Sequence, residues 1–379
     1  MRFDLTDEQA AIQAMAREFA EGEIRPIALE IDREARFPHE TVKRMGELGL
    51  MGIAVPERWG GAGSDMVSYV VALEEIARVC ASHAVVMSVN NSLYGYPVLT
   101  YGTDAQRERF LKPVASGHAH GCFALTEPQA GSDARNQATL ARRDGDHYVI
   151  TGRKMFITNG REASFALVFA QTDVAAARRG ITAFIVEKGT AGFSVSKTED
   201  KLGIRASDTA ELVFDACRVS VGTRIGEEGR GFHIALATLD GGRIGIAAQA
   251  IGIAAGAYER SVTYARERKS FGVPIGEHQM VGWMLADMAT AIDGARLLTL
   301  KAATLKDAGQ PYTKEASMAK LFAAETAMKV ATDAVQVHGG FGFIREAEVE
   351  RYFRDAKITQ IYEGTSQIQK LVIAREVLK

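Results

Sequence analysis

The amino-acid sequence predicts a multi-domain α+β protein, with an all-α N-terminal domain, a β-rich middle domain and an all-α C-terminal domain. Three observations carry this expectation. Apolar residues recur at helical spacing through the first and last thirds of the chain. Between Cys122 and Val221 the segments are short, rich in Val, Ile, Phe and Thr, and divided by turn residues. Strands and helices do not alternate, which disfavours a doubly wound sheet or a TIM barrel. The expected domains are residues 1–119, 120–225 and 226–379.

Taken in order, Thr6 caps a first helix that carries Ile12, Met15, Ala16 and Phe19 on one face. Pro38 opens a second with Val42, Met45 and Leu48, and Gly49 stops it. Pro56–Gly63 has loop composition, Met66–Asn90 reads as one long helix, and Thr103-Asp104 caps a shorter one ending near Gly117. In the middle third, Asp144-Gly145-Asp146 marks a hairpin turn, and Tyr148–Thr151, Phe165–Gln171, Thr182–Glu187, Phe193–Ser196 and Ala210–Phe214 are expected strands. Helical periodicity then returns in Phe232–Glu267, Glu277–Ala308, Thr313–Val337, Ala347–Ala356 and Thr365–Leu378.

Composition narrows the function classes. With 47% hydrophobic residues in 379, a large core is expected, and disorder is excluded as the main state. Lys+Arg (45) against Asp+Glu (47) gives a net charge of −2, and no basic patch exceeds Arg266–Lys269. No nucleic-acid partner is therefore expected. No apolar run is long enough to span a bilayer, so no membrane association is expected; the richest run, Ile244–Ala257, is short and rich in Gly and Ala. Met1–Thr6 has neither signal-peptide nor transit-peptide character. Cys80, Cys122 and Cys217 form no disulfide framework, which points to a reducing compartment. The expected location is cytoplasmic, or the mitochondrial matrix if a targeting peptide has been removed. No GxGxxG or GxxxxGK[ST] fingerprint occurs, and His118 and His120 have no third ligand at metal spacing.

Two stretches carry chemistry. Cys122–Ala134 is rich in small residues and hydroxyls; it is either a capped loop or one that offers N–H donors to a planar polar ring or a phosphate. Ile361–Gln367 sets Glu363 between Tyr362 and Gly364. That carboxylate is either a helix-dipole partner of the last helix or, desolvated beside Ile361 and Tyr362, a general base working near neutral pH.

These stretches belong to a longer set of signatures: Phe123–Asp133, Lys154–Gly160, Asp200–Arg205, Leu239–Gly245, Arg266–Gly272, Gln336–Gly340, Tyr352–Ile358 and Ile361–Gln369. In this order, and covering most of the chain, they resemble the acyl-CoA dehydrogenase family, most of all its short-chain (butyryl-CoA) members. The resemblance implies a helical domain, a β-barrel or sandwich domain and a C-terminal four-helix bundle. It also implies FAD bound without a Rossmann fold, and an oligomer, by likeness a homotetramer. The implied reaction is α,β-dehydrogenation of a short-chain acyl-CoA to a trans-2-enoyl-CoA. Glu363 removes the α proton, hydride passes to flavin N5, and an electron-transferring flavoprotein takes the electrons onward.

Position by position, the resemblance assigns Phe123, Leu125, Thr126 and Ser132 to the flavin edge, and Phe156 and Thr158 to the flavin face. Many relatives carry Trp where Phe156 stands. It assigns Arg268, Phe271 and Gln279 to the pyrophosphate and adenine side, where an Arg fork suits a pyrophosphate; read alone, Arg268 is a solvated residue of a charged run. Gln336, Gly339 and Gly340 match a segment reaching FAD across a subunit boundary, and Thr365 and Gln367 match further cofactor positions. Ser132, Asp240, Arg243 and Gly364 match substrate positions; read alone, Asp240 and Arg243 are an ion pair bracing a helix start. In the isovaleryl and long-chain branches the base precedes the Arg, at the position of Gly242 here, so Glu363 argues against those branches. Gln249 matches a short-chain position where a bulky polar group shortens the acyl pocket. A short branched substrate (isobutyryl or 2-methylbutyryl) stays open, because one methyl is worth only about 1–3 kcal/mol. Other readings are an oxygen-using acyl-CoA oxidase-like relative and a non-enzymatic helical scaffold.

Overall fold

The computed structural model describes residues 4–379; Met1, Arg2 and Phe3, on which part of the reading of the chain's start rests, lie outside the described residues. Eight helices come first: α1 (Asp7–Phe19), α2 (Ala28–Glu34), α3 (His39–Glu47), α4 (Met66–Val79), α5 (Ala81–Ser88), α6 (Tyr96–Tyr101), α7 (Asp104–Gln106) and α8 (Lys112–Ala115). Strands follow: β1 (Gly121–Ala124), β2 (Leu140–Asp144), β3 (His147–Thr158), β4 (Phe165–Gln171), β5 (Ile181–Glu187), β6 (Phe193–Thr198), β7 (Thr209–Ser220) and β8 (Arg224–Ile225). The rest is α9 (Gly231–Glu267), a small hairpin of β9 (Lys269–Ser270) and β10 (Val273–Pro274), then α10 (Gln279–Asp307), α11 (Thr313–His338), α12 (Val349–Thr359) and α13 (Ser366–Val377). The helical, β and helical order predicted from the sequence is the order observed.

Local chemistry explains the helix starts. Thr6 and Gln9 form a reciprocal capping box at α1, with Asp7 and Glu8 facing the helix dipole. Asp65 caps α4, and Thr365 caps α13. The expected helix Met66–Asn90 is instead interrupted: Cys80 is extended (φ −151°, ψ 106°) between α4 and α5, and a π-helical turn runs from Val89 to Gly95.

The sheet runs β6-β7-β3-β2-β4-β5-β8, with β1 alongside β4. Pairing is antiparallel except that β1 and β2 both lie parallel to β4. β2 and β3 join across the turn at Gly145-Asp146, with Asp144 opposite His147. Pairing of β3 with β7 slips between Lys154–Leu212 and Ile157–Ala210. Three steps on β3 match two on β7, so a bulge falls at Met155-Phe156. Phe156 takes a positive φ of 58° there and turns outward.

The two helical thirds share one core. Ile24 and Ile31 from the N-terminal third, with α4 and α5, pack with α9, α10, α11 and α12 in one cluster that includes Leu73, Ile76, Ile251, Met288 and Val330. α9 runs through its centre, and its glycines let neighbouring backbones come close. A Cβ on Gly252 would stand 2.4 Å from the carbonyl oxygen of Glu74 on α4. Residues Ile244–Ala257 are buried here, and among the described residues no helix is long and apolar enough to cross a membrane. A second cluster joins Leu125, Leu167 and Phe169 of the β region to Ile234 and Ala235 at the start of α9. One helix therefore touches the sheet at its start and the Glu363 turn further along.

Candidate active site

Glu363 lies in the short link between α12 and α13, in a strained backbone: its φ is +51°, and Gly364 follows at +91°. A left-handed conformation costs a non-glycine residue about 1–2 kcal/mol, so its neighbours must hold it. Gln369 Nε2 donates to the carbonyls of Glu363 (3.2 Å) and Gly364 (2.8 Å). Lys320 Nζ, from α11, also donates to the Gly364 carbonyl (2.8 Å). Ser366 Oγ donates to Glu325 Oε1 (2.6 Å), and Thr365 caps α13.

The strain aims the carboxyl inward. The residue as a whole is half-buried, but Oε2 is sealed from solvent and has no hydrogen-bond partner among the described residues. Burial pushes the acid up from its ordinary 4.5 to about 7, against the opposing pull of Lys320 and then Arg243. Gly242 on α9 makes room for it, since a Cβ there would stand 2.0 Å from Glu363 Oε2 and 2.9 Å from Leu93 Cδ2. A carboxylate at 363 and a side chain at 242 thus compete for one space.

Asp240 and Arg243 are an ion pair (2.6 Å). They lie well inside α9, which begins at Gly231, so they do not brace a helix start. Thr313 donates to the second Asp240 oxygen (2.7 Å), and Arg243 also reaches Ser317 (3.3 Å). Arg243 Nε, buried, has no partner among the described residues. On the other side Tyr362 donates its hydroxyl to Gln249 Oε1, and Gln249, fully buried, donates to the Ala81 carbonyl (2.9 Å). Tyr69, whose ionisation burial pushes up, donates to Ser88 (3.1 Å), and both lie against the open face of Gly245.

The residues expected at the flavin fall in two groups. The first surrounds β1 and the β3 bulge. Phe123 is half-buried against Phe169, with ring centroids 5.0 Å apart. The Leu125 carbonyl accepts from Lys154 Nζ (3.2 Å), and the Thr126 carbonyl from Met155 N–H (2.9 Å), one residue before Phe156. The Thr126 hydroxyl has no hydrogen bond among the described residues. Thr158 pairs with Thr209, Ser132 is exposed on the loop, and the Phe156 ring is 59% exposed. An unpaired hydroxyl beside an outward aromatic face fits the edge and face of a planar, hydrogen-bonding ring.

The second group is elsewhere. Arg268, at the end of α9, holds its guanidinium over Phe341 (5.8 Å) and lines a cleft of about 470 Å³ with Tyr264, Gly339 and Gly340. Gln279 and Gln336 are exposed nearby in sequence, and Phe271 is 96% exposed. Thr365 and Gln367 sit at the start of α13, the latter exposed. No hydrogen bond or ion pair among the described residues joins the Arg268 group to Glu363. A cation facing glycine backbone suits a pyrophosphate. A cleft of about 530 Å³ lies between Phe37, His39, Arg161 and Asp208 and does not include Glu363.

Two lysines escaped the sequence reading. Lys154 is fully buried, bonded to Glu127 (2.8 Å), Gln137 (3.2 Å) and the Leu125 carbonyl. Burial lowers it to about 8. Burial alone would raise Glu127, but Lys154 and the amides of Ala138 and Thr139 carry it below the ordinary carboxylate value. Lys320 is also fully buried. It stands on the same stripe as Ala316, Ala323 and Ala324, where an apolar residue is expected.

Residues 6–118, 122–217 and 229–378 match, in turn, "Acyl-CoA dehydrogenase, N-terminal domain", "middle domain" and "C-terminal domain". The chain is 52% identical over 379 residues to the short-chain-specific acyl-CoA dehydrogenase of Clostridium acetobutylicum, covering 100% of both. It superposes at a TM-score of 0.99 on butyryl-CoA dehydrogenase from Megasphaera elsdenii, with 45% identity and 100% of both chains covered. A chain from a structure of the electron-transferring flavoprotein of Acidaminococcus fermentans gives the same TM-score at 48% identity, again covering 100% of both.

Proposed function

The chain belongs to the acyl-CoA dehydrogenase family, and from that premise we propose that it converts a short-chain acyl-CoA to the trans-2-enoyl-CoA, with Glu363 as the base. The observation that carries the reading is the Glu363 carboxyl itself: sealed, unpaired, set on a strained turn and pushed up to about 7. A base with its midpoint near the working pH combines adequate ionisation with driving force for proton transfer. A substrate α-carbon proton is acidified by its thioester, and Glu363 Oε2 takes it. Arg243, whose buried Nε has no partner among the described residues, also pulls on this carboxylate. Bound FAD supplies the acceptor for the second hydrogen and its electron pair.

The chain's own residues position and limit the substrate. Tyr362, Gln249 and the Ala81 carbonyl form a fixed polar relay beside the base, a wall that favours a short acyl chain. Phe123, Leu125, Thr126, Ser132, Phe156 and Thr158 would hold the flavin ring. Arg268, Phe271, Gln279, Gln336, Gly339 and Gly340, with Thr365 and Gln367, would hold the rest of FAD. Asp240, Arg243, Ser132 and Gly364 would hold the acyl-CoA. The Arg268 group stands apart from Glu363 within one chain, and Phe271 and Phe343 are 96% and 85% exposed. Both features support a homotetramer in which the Gln336–Gly340 segment of one copy serves a neighbour's flavin. An electron-transferring flavoprotein is the proposed electron acceptor. Cys80, Cys122 and Cys217 are buried free thiols, in keeping with a reducing compartment, the cytoplasm or the mitochondrial matrix.

The test is a turnover profile of the purified yellow protein with an artificial electron acceptor. Straight-chain thioesters of about four to eight carbons, and branched four- and five-carbon ones, are compared, since a methyl step is worth about 1–3 kcal/mol. Highest kcat/KM on butyryl-CoA is expected. A maximum on a branched or longer thioester overturns the chain-length assignment. Turnover that needs only oxygen, with stoichiometric peroxide, overturns the acceptor.

A further inference from the structure

We propose that Lys320 is a positioning residue for the base: its ammonium struts the Glu363–Gly364 turn through the Gly364 carbonyl and presents its charge to the Glu363 carboxylate. The inference rests on Glu363 being the base.

Lys320 is an expensive residue to keep. It is fully buried on α11 among Ala316, Ala319 and Ala323. No carboxylate lies within ion-pair distance of it among the described residues, and its one hydrogen bond is to the Gly364 carbonyl, at 2.8 Å. A buried, unpaired ammonium is a poor stability device, and an apolar residue of similar volume is usually neutral or stabilising in its place. Something other than stability therefore accounts for it.

The surroundings of Glu363 say what. From α9 it is faced by Arg243, from α4 by Tyr69, from its own link by Tyr362, and from α11 by Lys320. The two tyrosines are neutral and driven further from ionising by burial. Arg243 shares its charge with Asp240 at 2.6 Å. Lys320 brings a cation with no carboxylate at ion-pair distance among the described residues: Glu325, which also raises it, accepts from Ser366 and Gln360 instead, and Arg243 opposes it. Burial lowers Lys320 to about 8, Glu363 opposes that fall, and Lys320 in turn is the larger of the two pulls on Glu363. The same ammonium, with Gln369, fixes the carbonyl that follows a residue held at positive φ.

Strut and charge separate by substitution. Lys320→Met removes both, Lys320→Gln keeps a donor without the charge, and Lys320→Arg keeps the charge. The parent holoenzyme and each variant are titrated by infrared difference spectroscopy of the carboxyl band, assigned to Glu363 by its loss in Glu363→Gln. The pH profile of kcat/KM on butyryl-CoA is measured beside it. In Lys320→Met and Lys320→Gln the Glu363 midpoint should rise by about one pH unit, the low end of the 1–3 unit effect of a neighbouring opposite charge. The acid limb should move with it, so kcat/KM at pH 6, taken relative to each protein's own high-pH plateau, falls about tenfold below the parent's. Lys320→Arg should titrate like the parent. A Glu363 midpoint unchanged in both neutral variants overturns the proposal. Should Lys320→Met not fold, Lys320→Gln decides alone. The infrared titration needs no substrate. A shifted midpoint in a protein that dehydrogenates no acyl-CoA therefore sinks the functional reading, and with it the positioning role, and leaves only the coupling of Lys320 to Glu363, while an unshifted midpoint in an active enzyme overturns the Lys320 proposal and leaves the functional reading.

Discussion

Replacing Glu363 with glutamine should make the protein more stable above neutral pH while removing its activity. The acid is raised on folding from 4.5 to about 7. A folded-state value above the unfolded one means that folding favours the protonated acid. That contribution is fully present below pH 4.5 and is lost as the pH rises through 7. Over this interval of about 2.5 pH units, at 1.36 kcal/mol each, ionising the carboxyl costs the parent on the order of 3 kcal/mol. Glutamine, a neutral isostere of the protonated acid, avoids that cost. At roughly 2.1 cal/mol/K of unfolding entropy per residue, the 379-residue chain has about 0.8 kcal/mol/K, so the gain corresponds to a Tm rise of about 4 °C at pH 8.5. At pH 5 the difference shrinks below about 1 kcal/mol. The assay is thermal unfolding of both flavin-loaded proteins at the two pH values. A variant no more stable than the parent at pH 8.5, or one whose advantage is the same at pH 5, would refute the claim that the carboxyl is ionised against its surroundings.

Four further outcomes are expected. Gly242→Ala, although alanine suits a helix better, puts a Cβ 2.0 Å from Glu363 Oε2; kcat/KM should fall about 10²-fold, the scale of an ångström of misplacement, with FAD content unchanged. In the parent, kcat/KM should rise with pH through a midpoint near 7, because the base must be ionised, and a midpoint near 4.5 would contradict the burial argument. Lys154→Met leaves Glu127 buried without its cation, a loss of about 3–5 kcal/mol, and loosens the turn at Leu125 and Thr126; both Tm and FAD retention should drop together. Phe271→Glu with Phe343→Glu should dissociate the oligomer in sedimentation velocity, and an unchanged mass would show that this face is not the subunit contact.

Much of the architecture was legible in the sequence because it rests on period and punctuation. Phe165–Gln171 was read to the residue, since it is an apolar run bounded by turn signals, and it is buried through nearly its whole length. The cap at Thr6 was legible because a hydroxyl stands just before a periodic segment with acidic residues in its first turn. β1 was missed because it has only four residues, and β2 because Arg142, Arg143 and Asp144 face solvent. The break at Cys80 carries no glycine or proline to announce it. At the site, Glu363 was legible as an acid between an aromatic residue and a glycine. Lys320 and Lys154 were not, because a lone lysine reads as solvated until the packing around it is known. The Asp240–Arg243 pair was legible as an ion pair, but its place inside α9 depends on where that helix begins.

The most direct measurement is anaerobic mixing of the purified flavoprotein with butyryl-CoA, following the flavin absorbance in the parent and in Glu363→Gln. Rapid bleaching is expected in the parent and a rate lower by about 10²–10⁴-fold in the variant, the usual contribution of a general base. Bleaching of Glu363→Gln at the parent rate would contradict the role of Glu363 as the base.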